Sequence, residues 1–456
     1  MVIRKHIDNM TRRIFKRKIY ADMVKWKNER NGSSALLIKG ARRVGKSTIA
    51  EEFAKNEYKS YIIIDFAEVG SDVTALFDDV RNLDYLFLQL QTLYDTSLYS
   101  RESVIIFDEI QKCPKARQAI KYLVKDGRYD YIETGSLMSI RKYKRGIMIP
   151  SEETRITMFP MDYEEFLWAI EDTMTFSMMR YAYENQKPLG DAVHRKLMRQ
   201  FRLYMVVGGM PQAVNTYLDY NDLKRVDEVK REILELYIDD LREIDESGRA
   251  SRIFESIPGE LAKGKLRFSI GSVIENADAY NLDPIWQDLE NSLTINFSYR
   301  CTDPNVGLAL HKDMDYFKLF IGDTGLFITL AFWDNSAGSN ILYQKLLSDK
   351  LSADLGMVYE NVVAQCLRAS GHSLYYYTFK ADPVGKNNYE IDFLITNETK
   401  LQPIEVKSSG YLRHKSLDKF RETYHFRIAR SVVLYPKDLK VENEILYLPI
   451  YMAALL

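Results

Sequence analysis

Residues 40–47 have the spacing of a phosphate-binding loop, Gly40-x-x-x-x-Gly45-Lys46-Ser47, between an apolar strand pattern and a helical pattern. In such a loop, glycines let backbone N–H groups turn inward around phosphates, the lysine reaches the β and γ oxygens, and the hydroxyl ligates Mg²⁺. We therefore predict a site for ATP and Mg²⁺. The loop residues predicted to contact the nucleotide are Gly40, Ala41, Arg42, Arg43, Val44, Gly45, Lys46, Ser47 and Thr48.

Two carboxylates end a second apolar run, SVIIFDEIQ at residues 103–111. A buried parallel strand delivers such side chains to the C-terminal edge of its sheet. Asp108 is predicted to hold the Mg²⁺ shell through water. Glu109, one residue on and pointing the other way along the strand, is predicted to polarise the water that attacks the γ-phosphate. Thr134 and Ser136 follow a later strand pattern, YDYIETGS. A hydroxyl there either reports on the γ-phosphate or belongs to an ordinary turn, and both alternatives stay open.

A second group of charged residues lies in YEIDFLITNETKLQPIEVKSSG, residues 389–410. Residues 389–395 and 401–406 read as the arms of a hairpin with a polar turn at 396–400. Alternation along the strands then lets Asp392 face Glu405 and Lys407. Two carboxylates and an ammonium group suit a Mg²⁺-dependent nuclease site, and they suit equally a structural cluster or a binding platform.

The length and composition of the chain limit the kinds of protein in which these motifs can occur. A chain of 456 residues exceeds one ordinary core and predicts two to four domains. Lys and Arg number 63 against 64 for Asp and Glu, so a nucleic-acid surface would have to be a local patch. The three cysteines are far apart, which argues against a zinc site or disulfide framework. With no membrane-length apolar segment and no apolar signal core, we expect a cytoplasmic protein without a membrane partner.

The elements that position the phosphate-binding site alternate between strand and helix along the sequence. Short apolar strand patterns at 35–38, 61–65, 103–111 and 129–136 are separated by helical patterns, which predicts a parallel sheet. Residues 162–215 look helical and would form a lid over the nucleotide core, with GGMP as a turn. Residues 223–244 predict a solvated helix that links the two halves of the chain.

The order of the motifs resembles a family of prokaryotic AAA-type ATPases whose C-terminal half is a domain of unknown function ending in a restriction-endonuclease-like PD-(D/E)xK fold. The resemblance runs over most of the chain. It rests on GARRVGKST, FDEIQKCP, ETGS, RITMFPMDYEEF, VVGGMPQAV, FKLFIGDTGLF, MVYENVVAQCL, YEIDFLI and PIEVKSS.

The resemblance implies roles for further residues. Arg155 would match an arginine that acts on nucleotide from a neighbouring subunit, although Thr154 replaces the usual glycine and an ordinary surface arginine is the alternative. Glu360 would join Asp392 and Glu405 as a metal ligand, with Lys407 beside them. Residues 250–335 would form a winged helix. Its acidic residues favour a protein contact over DNA readout: Glu275, Asp278, Asp283, Asp288 and Glu290.

The predicted fold class is therefore α/β, with a P-loop NTPase parallel sheet, a helical lid, a winged-helix-like segment and a C-terminal restriction-endonuclease-like α/β domain. The predicted boundaries are 1–160 for the ATP-binding core with a basic lead-in, 161–225 for the lid, 226–338 for the linker helix and winged-helix-like segment, and 339–456 for the last domain.

The predicted function is Mg²⁺-dependent ATP binding and hydrolysis, with the nucleotide state controlling the nuclease-like domain. The alternative is a signalling or assembly switch in which that domain is an inactive binding platform. Partners expected from this prediction are DNA or RNA at the C-terminal half, or a protein. A homo-oligomer is compatible with the role assigned to Arg155.

Overall fold

The computed structural model describes residues 13–135, 151–274, 282–334, 339–348, 356–380, 388–410 and 413–456. It divides into two compact units. The first unit contains residues 1–38, 45–134 and 147–156, and the second contains residues 39–44, 135–146 and 157–456. The four-part division expected from the sequence stays a prediction. None of the helices in these described ranges is both long and apolar enough to cross a membrane.

The first unit is built on a five-stranded sheet with the order β2-β3-β4-β1-β5. The strands are β1 (Ala35–Lys39), β2 (Ser60–Asp65), β3 (Ser103–Asp108), β4 (Asp130–Gly135) and β5 (Glu153–Thr157). Strands β2, β3 and β4 run parallel in register, with Ile63 opposite Ile106 and Ile105 opposite Tyr131. Every residue of β3 is buried, as its continuous apolar run predicts for a central parallel strand.

Helices cover this sheet and close its core. They are α1 (Ile19–Arg30), α2 (Lys46–Glu57), the single turn α3 (Ser71–Thr74), α4 (Leu83–Leu93) and α5 (Pro114–Asp126). Phe66, Phe77 and Phe107 pack ring against ring within 6 Å in the centre of the core. The alternating β and α order predicted from the sequence is therefore confirmed for this parallel-sheet, P-loop NTPase-like region.

The N-terminal half of the second unit is helical. Its helices are α6 (Tyr163–Ala169), α7 (Thr175–Glu184), α8 (Asp191–Val207), α9 (Pro211–Tyr220), α10 (Leu223–Ile244) and α11 (Arg249–Ala262). Helix α10 is less solvated than its charges suggested. It buries Asp227 and Lys230 together with an apolar face, because Lys230 donates to the Val206 carbonyl at 2.8 Å and Asp227 accepts from Thr329 at 2.9 Å.

The sheet that follows joins two distant parts of the chain. After α12 (Asp283–Ser292) come β6 (Ile295–Cys301), β7 (Lys312–Ile321), α13 (Thr324–Ala331), α14 (Ser339–Leu347), α15 (Gly356–Ala369), β8 (Leu374–Phe379) and β9 (Tyr389–Ile391). The sheet order is β7-β6-β8-β9, with β6 antiparallel to β7 and parallel to β8. Strands β6 and β7, which the sequence assigns to a predicted winged-helix-like segment, thus share one sheet with β8 and β9 of the C-terminal segment. The predicted boundary after residue 338 would divide this sheet.

The last sheet has the order β10-β11-β12-β14-β13. It contains β10 (Phe393–Asn397), β11 (Lys400–Val406), β12 (Ser431–Tyr435), β13 (Lys440–Glu442) and β14 (Ile445–Pro449), and α16 (Lys415–Tyr424) lies between β11 and β12 in the chain. Strands β11, β12 and β14 are parallel, whereas β10 and β13 are antiparallel to their neighbours. The sheet therefore contains both parallel and antiparallel strand pairs.

Two glycine motifs, VVGGMP and IGDTG, meet inside the second unit. The Gly209 N–H donates to Asp323 at 2.5 Å, across 114 residues of sequence. A Cβ on Gly325 would lie 2.6 Å from the Gly208 Cα, which is closer than side chains allow. The two backbones touch only because both residues lack a side chain, so this contact fixes the start of α13 against the turn before α9.

Candidate functional site

The phosphate loop has the backbone geometry that its glycines predict. Gly45 has φ 100° and forms the N-cap of α2, a conformation that residues with a Cβ rarely adopt. Lys46 is the first residue of the helix and its side chain is buried. A loop that turns into a helix N-terminus presents backbone N–H groups and partial positive charge to an anion. This is the local arrangement that phosphate binding needs.

Hydroxyl and carboxylate groups of three elements meet at one edge of the first sheet. The Ser47 hydroxyl donates to Asp108 at 2.8 Å, and the Thr134 hydroxyl donates to the same carboxylate oxygen. The Glu109 N–H points to the Thr134 hydroxyl at 3.4 Å. The first turn of α2 and the ends of β3 and β4 therefore bring the predicted residues together. Ser136 lies outside the described residues.

Glu109 is placed differently from the sequence expectation. Strand β3 ends at Asp108, and Glu109 has a left-handed backbone with φ 51°, so it does not continue the strand with its side chain on the opposite face. The left-handed residue turns the chain sharply into a 3₁₀ turn, and the Gln111 amide then donates to the Glu109 carboxylate. This turn sets the direction of the carboxylate beside the Asp108 site.

Asp65 is a carboxylate at this edge that the sequence analysis missed. It ends β2 and pairs in register with Asp108 at the end of β3. Burial raises the pKa of Asp65, and the negative charges of Asp108 and Glu109 raise it further. The signal was available, because YIIID ends in an aspartate just as SVIIFD does. The excess negative charge at this edge is what a bound Mg²⁺ would offset.

Arg155 lies in β5 and is half exposed. Its guanidinium lies 3.2 Å from Glu153, whose fully buried carboxylate also pairs with Arg117 at 3.1 Å. The buried pair holds Glu153 in place, and Glu153 in turn anchors Arg155. An exposed, anchored arginine is compatible with both interpretations of Arg155, as an ordinary surface residue and as one that acts on a neighbouring subunit's nucleotide. The second role stays a prediction.

The first part of the phosphate loop belongs to the second unit. Gly40, Ala41 and Val44 are buried, whereas Arg42 and Arg43 are exposed. Arg42 pairs with Asp240 of α10 at 2.8 Å, and the Tyr237 hydroxyl of the same helix donates to the Arg42 carbonyl at 2.8 Å. The long helix α10 is thus bonded to both the backbone and the side chain of a loop residue.

The donor set at the sheet edge fits Mg²⁺. A serine hydroxyl and an aspartate carboxylate are the hard oxygen ligands that this ion takes beside substrate phosphates, and the 2.8 Å hydrogen bond holds the two oxygens at one point. Thr48 follows Ser47 in the first turn of α2, the part of a helix where backbone N–H groups point toward a bound anion.

A second charged group, here called the carboxylate–lysine cluster, lies in the second unit. Its members are Glu360, Glu390, Asp392, Glu405, Lys318 and Lys407. Asp392 lies where the chain passes from β9 to β10, and its carboxylate accepts the Val406 N–H at 2.7 Å. Lys407 lies 2.6 Å from Glu405. The structure therefore brings Asp392, Glu405 and Lys407 to one place, as the sequence predicts.

Helix α15 carries Glu360 to the same cluster. The Asn361 side chain bonds both backbone groups of Ile321, at 2.9 and 3.1 Å, and fixes α15 at the end of β7. Glu360 then lies 3.7 Å from Lys318, which also pairs closely with Glu390. The sequence analysis missed Lys318, although a single lysine inside the apolar run YFKLFI was a visible signal.

Burial and repulsion between the carboxylates control ionisation in the cluster. Burial raises the pKa of Glu405 to about 8, and the nearby Asp392 charge acts in the same direction. Burial likewise raises the pKa of Glu360 to about 7, against the opposing effect of Lys318. Burial alone would lower the pKa of Lys318, but Glu360, Glu390 and Asp392 outweigh it and raise the pKa. Both lysines thus remain charged while the carboxylates compete for them.

The cluster does not have a complete set of metal ligands. Within the described ranges, no group of three or more His, Cys, Asp or Glu side chains is arranged to hold a metal ion. One donor is available, because the Glu405 Oε2 atom is buried and has no hydrogen-bond partner in the part of the chain that the structure describes. Near this oxygen, Lys407 pairs with Glu405, and Lys318 pairs with Glu360 and Glu390.

The hairpin is shorter than predicted. Strands β10 and β11 pair from Phe393 opposite Ile404 to Asn397 opposite Lys400, around a two-residue turn in which Glu398 has φ 54°. Residues 389–391 do not extend this hairpin, because they pair with β8 in the other sheet. Asp392 reaches Glu405 and Lys407 from the crossing point between the sheets and not from a hairpin arm.

Three family comparisons match separate parts of the chain. Residues 32–167 match the family described as an AAA domain. Residues 198–337 match a domain of unknown function (DUF8612), and residues 355–452 match another (DUF4143). No curated protein matches at a significant level.

Several solved structures show partial similarity. The Walker-type ATPase PABY2304 of Pyrococcus abyssi is 17% identical with a TM-score of 0.41, over 70% of this chain and 96% of that one. A RuvB variant of Thermotoga maritima is 14% identical with a TM-score of 0.27, over 61% and 86% of the two chains. PCH-2 of C. elegans is 13% identical with a TM-score of 0.24, over 45% and 60%.

The AAA family match covers the phosphate loop, the Asp108 strand and the parallel sheet that positions them. Residues 32–167 of this chain therefore form an AAA-type P-loop ATPase domain.

Proposed function

We propose that this chain binds Mg²⁺ and ATP at the phosphate loop, hydrolyses the γ-phosphate bond, and uses its nucleotide state to control the C-terminal region. The observation that carries the proposal is the convergence of the Ser47 and Thr134 hydroxyls on Asp108, with Glu109 next in the chain. These groups come from three elements, and their meeting supports a nucleotide site more directly than any one motif.

Each residue of the site has a distinct task in hydrolysis. Lys46 and the loop N–H groups hold the β- and γ-phosphates, and the Glu109 carboxylate orients the attacking water and takes its proton. Ser47 and Asp108 are the residues that hold Mg²⁺. When bound there, Mg²⁺ offsets the charge that develops on the phosphate oxygens. Thr134 donates to the Asp108 carboxylate, and we assign it the role of sensing a change in the γ-phosphate.

Helix α10 is the element through which nucleotide state reaches the second unit. Arg42 is a loop residue, and its contacts with Asp240 and Tyr237 place it in that unit. A change in loop conformation on hydrolysis moves the Arg42 carbonyl and guanidinium, and both are bonded to α10. The same helix buries Asp227 and Lys230 in the core of the second unit.

Two measurements test these assignments. Wild-type protein should bind ATP with Mg²⁺ and release phosphate, and Lys46→Ala should lose nucleotide binding. Asp240→Asn should keep ATPase activity while the protease cleavage pattern of residues 157–456 no longer differs between ATP and ADP. Tight ATP binding by Lys46→Ala would reject the site, and an unchanged nucleotide effect in Asp240→Asn would reject the role of α10.

For the C-terminal region we propose a restriction-endonuclease-like domain, preceded by the winged-helix-like segment, that cuts nucleic acid with Mg²⁺. Glu360, Asp392 and Glu405 would hold the ion and Lys407 would orient water at the scissile phosphate. Four carboxylates against two ammonium groups leave a surplus of two negative charges when all six ionise, 4 − 2 = 2, which equals the charge of one divalent ion. The unpartnered Glu405 Oε2 is the oxygen available to it.

The alternative is an assembly or signalling switch that cuts nothing, and a specific observation favours it. Lys318 already pairs with Glu390 and Glu360, and Lys407 with Glu405. A cluster in which both lysines already pair with carboxylates needs no metal ion to neutralise those pairs, and it can serve as a binding platform. In the described residues no complete metal-ligand group exists, which agrees with this reading.

Plasmid cleavage separates the two C-terminal functions. Supercoiled plasmid and a branched DNA junction are incubated with Mg²⁺ or Mn²⁺, with and without ATP, using wild type, Glu405→Ala and Lys46→Ala. Cleavage by wild type but not by Glu405→Ala establishes the nuclease, and loss in Lys46→Ala shows that ATP controls it. ATP hydrolysis without any cleavage by wild type establishes the switch.

Two wider assignments complete the proposal. We place the activity in the cytoplasm, because Cys113, Cys301 and Cys366 are buried thiols that form no disulfide within the described ranges. Arg155 contributes to a neighbouring subunit's nucleotide in a homo-oligomer. Its half-exposed guanidinium supports this role, and mixed oligomers of Arg155→Ala and Lys46→Ala chains test it.

A further inference from the structure

A large cavity in the second unit lies apart from the carboxylate–lysine cluster. Its volume is about 930 Å³, which is in the upper range of small-ligand sites. Helix α8, the end of α14 and the loop after β12 line it. The basic residues of the lining are Arg195, Arg199, Arg202 and Lys437.

The arginines form a row on one face of α8. Positions 195, 199 and 202 follow the spacing of adjacent turns, so the three side chains lie on the same side of the helix. The opposite side of α8 buries Leu197 and Phe201 in the core. At 1.5 Å per residue, the row extends for about 10 Å along the helix axis. A row of this length suits two or more linked anionic groups better than one isolated ion.

Three of the four cations that line the cavity are available to an anionic ligand. Arg195, Arg199 and Lys437 form no ion pair with any residue in the described ranges. The Asp438 carboxylate is occupied by backbone N–H groups of Leu189 and Gly190, at 3.1 and 2.7 Å. With Asp191 the lining has two carboxylates against four cations, which leaves two positive charges, 4 − 2 = 2.

The remaining lining shows which part of an anionic ligand is recognised. Among the described residues, the lining contains no Phe, Tyr or Trp side chain on which a base could stack. The ring of His194 is engaged on both sides, by the Tyr451 hydroxyl at 3.0 Å and the Pro436 carbonyl at 3.2 Å. Burial lowers the pKa of His194, so this imidazole is neutral at pH 7 and adds no charge. Recognition here is therefore of phosphate groups and not of bases.

We propose that this cavity binds the linked phosphates of a nucleic-acid strand, through Arg195, Arg199, Arg202 and Lys437 and without sequence preference. Guanidinium groups pair with two phosphate oxygens at once, which favours arginine for this contact. The proposal rests on the proposed function, since it names nucleic acid as the partner that the nucleotide state controls. It adds a binding surface that is separate from the cutting site.

Fluorescence anisotropy with a labelled 20-nucleotide single strand tests the proposal on the full chain without nucleotide. The double variant Arg195→Gln, Arg199→Gln should bind at least about 10-fold more weakly. Its plot of log affinity against log salt should be less steep by about 1.4, because two phosphate contacts on a single strand are lost. The matched control is Arg249→Gln, Arg252→Gln, which removes two exposed charges of α11 and should bind as wild type does.

Three results would overturn the site: unchanged binding by the double variant, an equal loss in the control, or full competition by tripolyphosphate at matched phosphate concentration. The last result would assign the cavity to small polyphosphates. ATPase activity and thermal unfolding of the double variant, measured in parallel, should match wild type. If the double variant loses strand binding but keeps ATPase activity, the result supports this binding site alone. If the wild-type chain binds the strand through these arginines but has no ATPase activity, only the proposed function is rejected.

Discussion

The Ser47 hydroxyl donates a 2.8 Å hydrogen bond to Asp108, 61 residues further along the chain. This bond joins the first turn of α2 to the end of β3, and Thr134 approaches the same carboxylate from β4. The contact is geometric evidence that the two motifs form one site. It also predicts that replacing either Ser47 or Asp108 will impair the ability of the other residue to hold Mg²⁺.

Removing either oxygen should weaken metal use before it weakens folding. For Ser47→Ala and Asp108→Asn we expect the Mg²⁺ concentration for half-maximal ATPase activity to rise by about 10- to 100-fold. Ser71→Ala, an exposed serine of the same unit, serves as the control and should behave as wild type does. Magnesium titrations of phosphate release provide the measurement. An unchanged magnesium requirement in Asp108→Asn would remove Asp108 from the metal site.

The contact between Gly208 and Gly325 makes a packing prediction. Gly325→Ala would force a Cβ to within 2.7 Å of Gly208 backbone atoms and should lower the free energy of unfolding by roughly 1–3 kcal/mol. The control is Gly259→Ala in α11, where nothing lies within 4 Å of the added Cβ. This control should leave stability unchanged or raise it by up to about 1 kcal/mol. Urea unfolding measures both, and equal effects of the two variants would contradict the close approach.

Lys318 is predicted to stabilise the second unit by neutralising carboxylates. Lys318→Met leaves Glu360 and Glu390 facing each other and should cost about 3–5 kcal/mol of unfolding free energy at pH 8. Adding Glu390→Gln should recover part of that loss, because one of the two charges is removed. Lys400→Met, at an exposed position of β11, is the control. Wild-type stability in the Lys318→Met single variant would mean that the ammonium group is not needed there.

The pKa of Glu405 predicts how stability changes with pH. In the folded chain this pKa is raised to about 8, whereas the unfolded value is 4.5. The stability that the group contributes is therefore complete below pH 4.5 and is lost as pH rises through about 8. Glu405→Gln cannot ionise, so from pH 6 to pH 9 it should gain at least about 1 kcal/mol over wild type.

Paired urea unfolding curves at the two pH values measure this difference for Glu405→Gln and for wild type. Glu398→Gln, at the exposed turn of the same hairpin, should show no such pH-dependent gain. If Glu405→Gln and wild type lose stability in parallel from pH 6 to pH 9, Glu405 is already ionised at the lower pH.

The ATPase region was largely predictable because its signals are local. The loop, the strands and the helices between them are contiguous segments, and parallel strands place Asp108 and Thr134 at one edge whatever the rest of the chain does. The direction of Glu109 was not predictable, because it depends on one left-handed residue. No sequence pattern indicated that the strand ends at Asp108, directly before this residue.

The C-terminal cluster was predicted only in part, because its members come from distant elements. Asp392, Glu405 and Lys407 lie near each other in sequence and were found. Lys318 reaches them only because β7 and β9 belong to one sheet while β10 begins another. The division of the predicted hairpin between two sheets depends on pairing of residues 389–391 with β8, which the alternation pattern cannot reveal.

The central claim is that this chain turns over ATP through Glu109 at the Ser47–Asp108 site. The most direct measurement compares wild type, Lys46→Ala and Glu109→Gln for both ATP binding and phosphate release with Mg²⁺. The account predicts that Glu109→Gln binds ATP as wild type does but releases phosphate roughly 10²- to 10⁴-fold more slowly, while Lys46→Ala binds none. Wild-type turnover by Glu109→Gln, or no ATP binding by the wild-type chain, would contradict it.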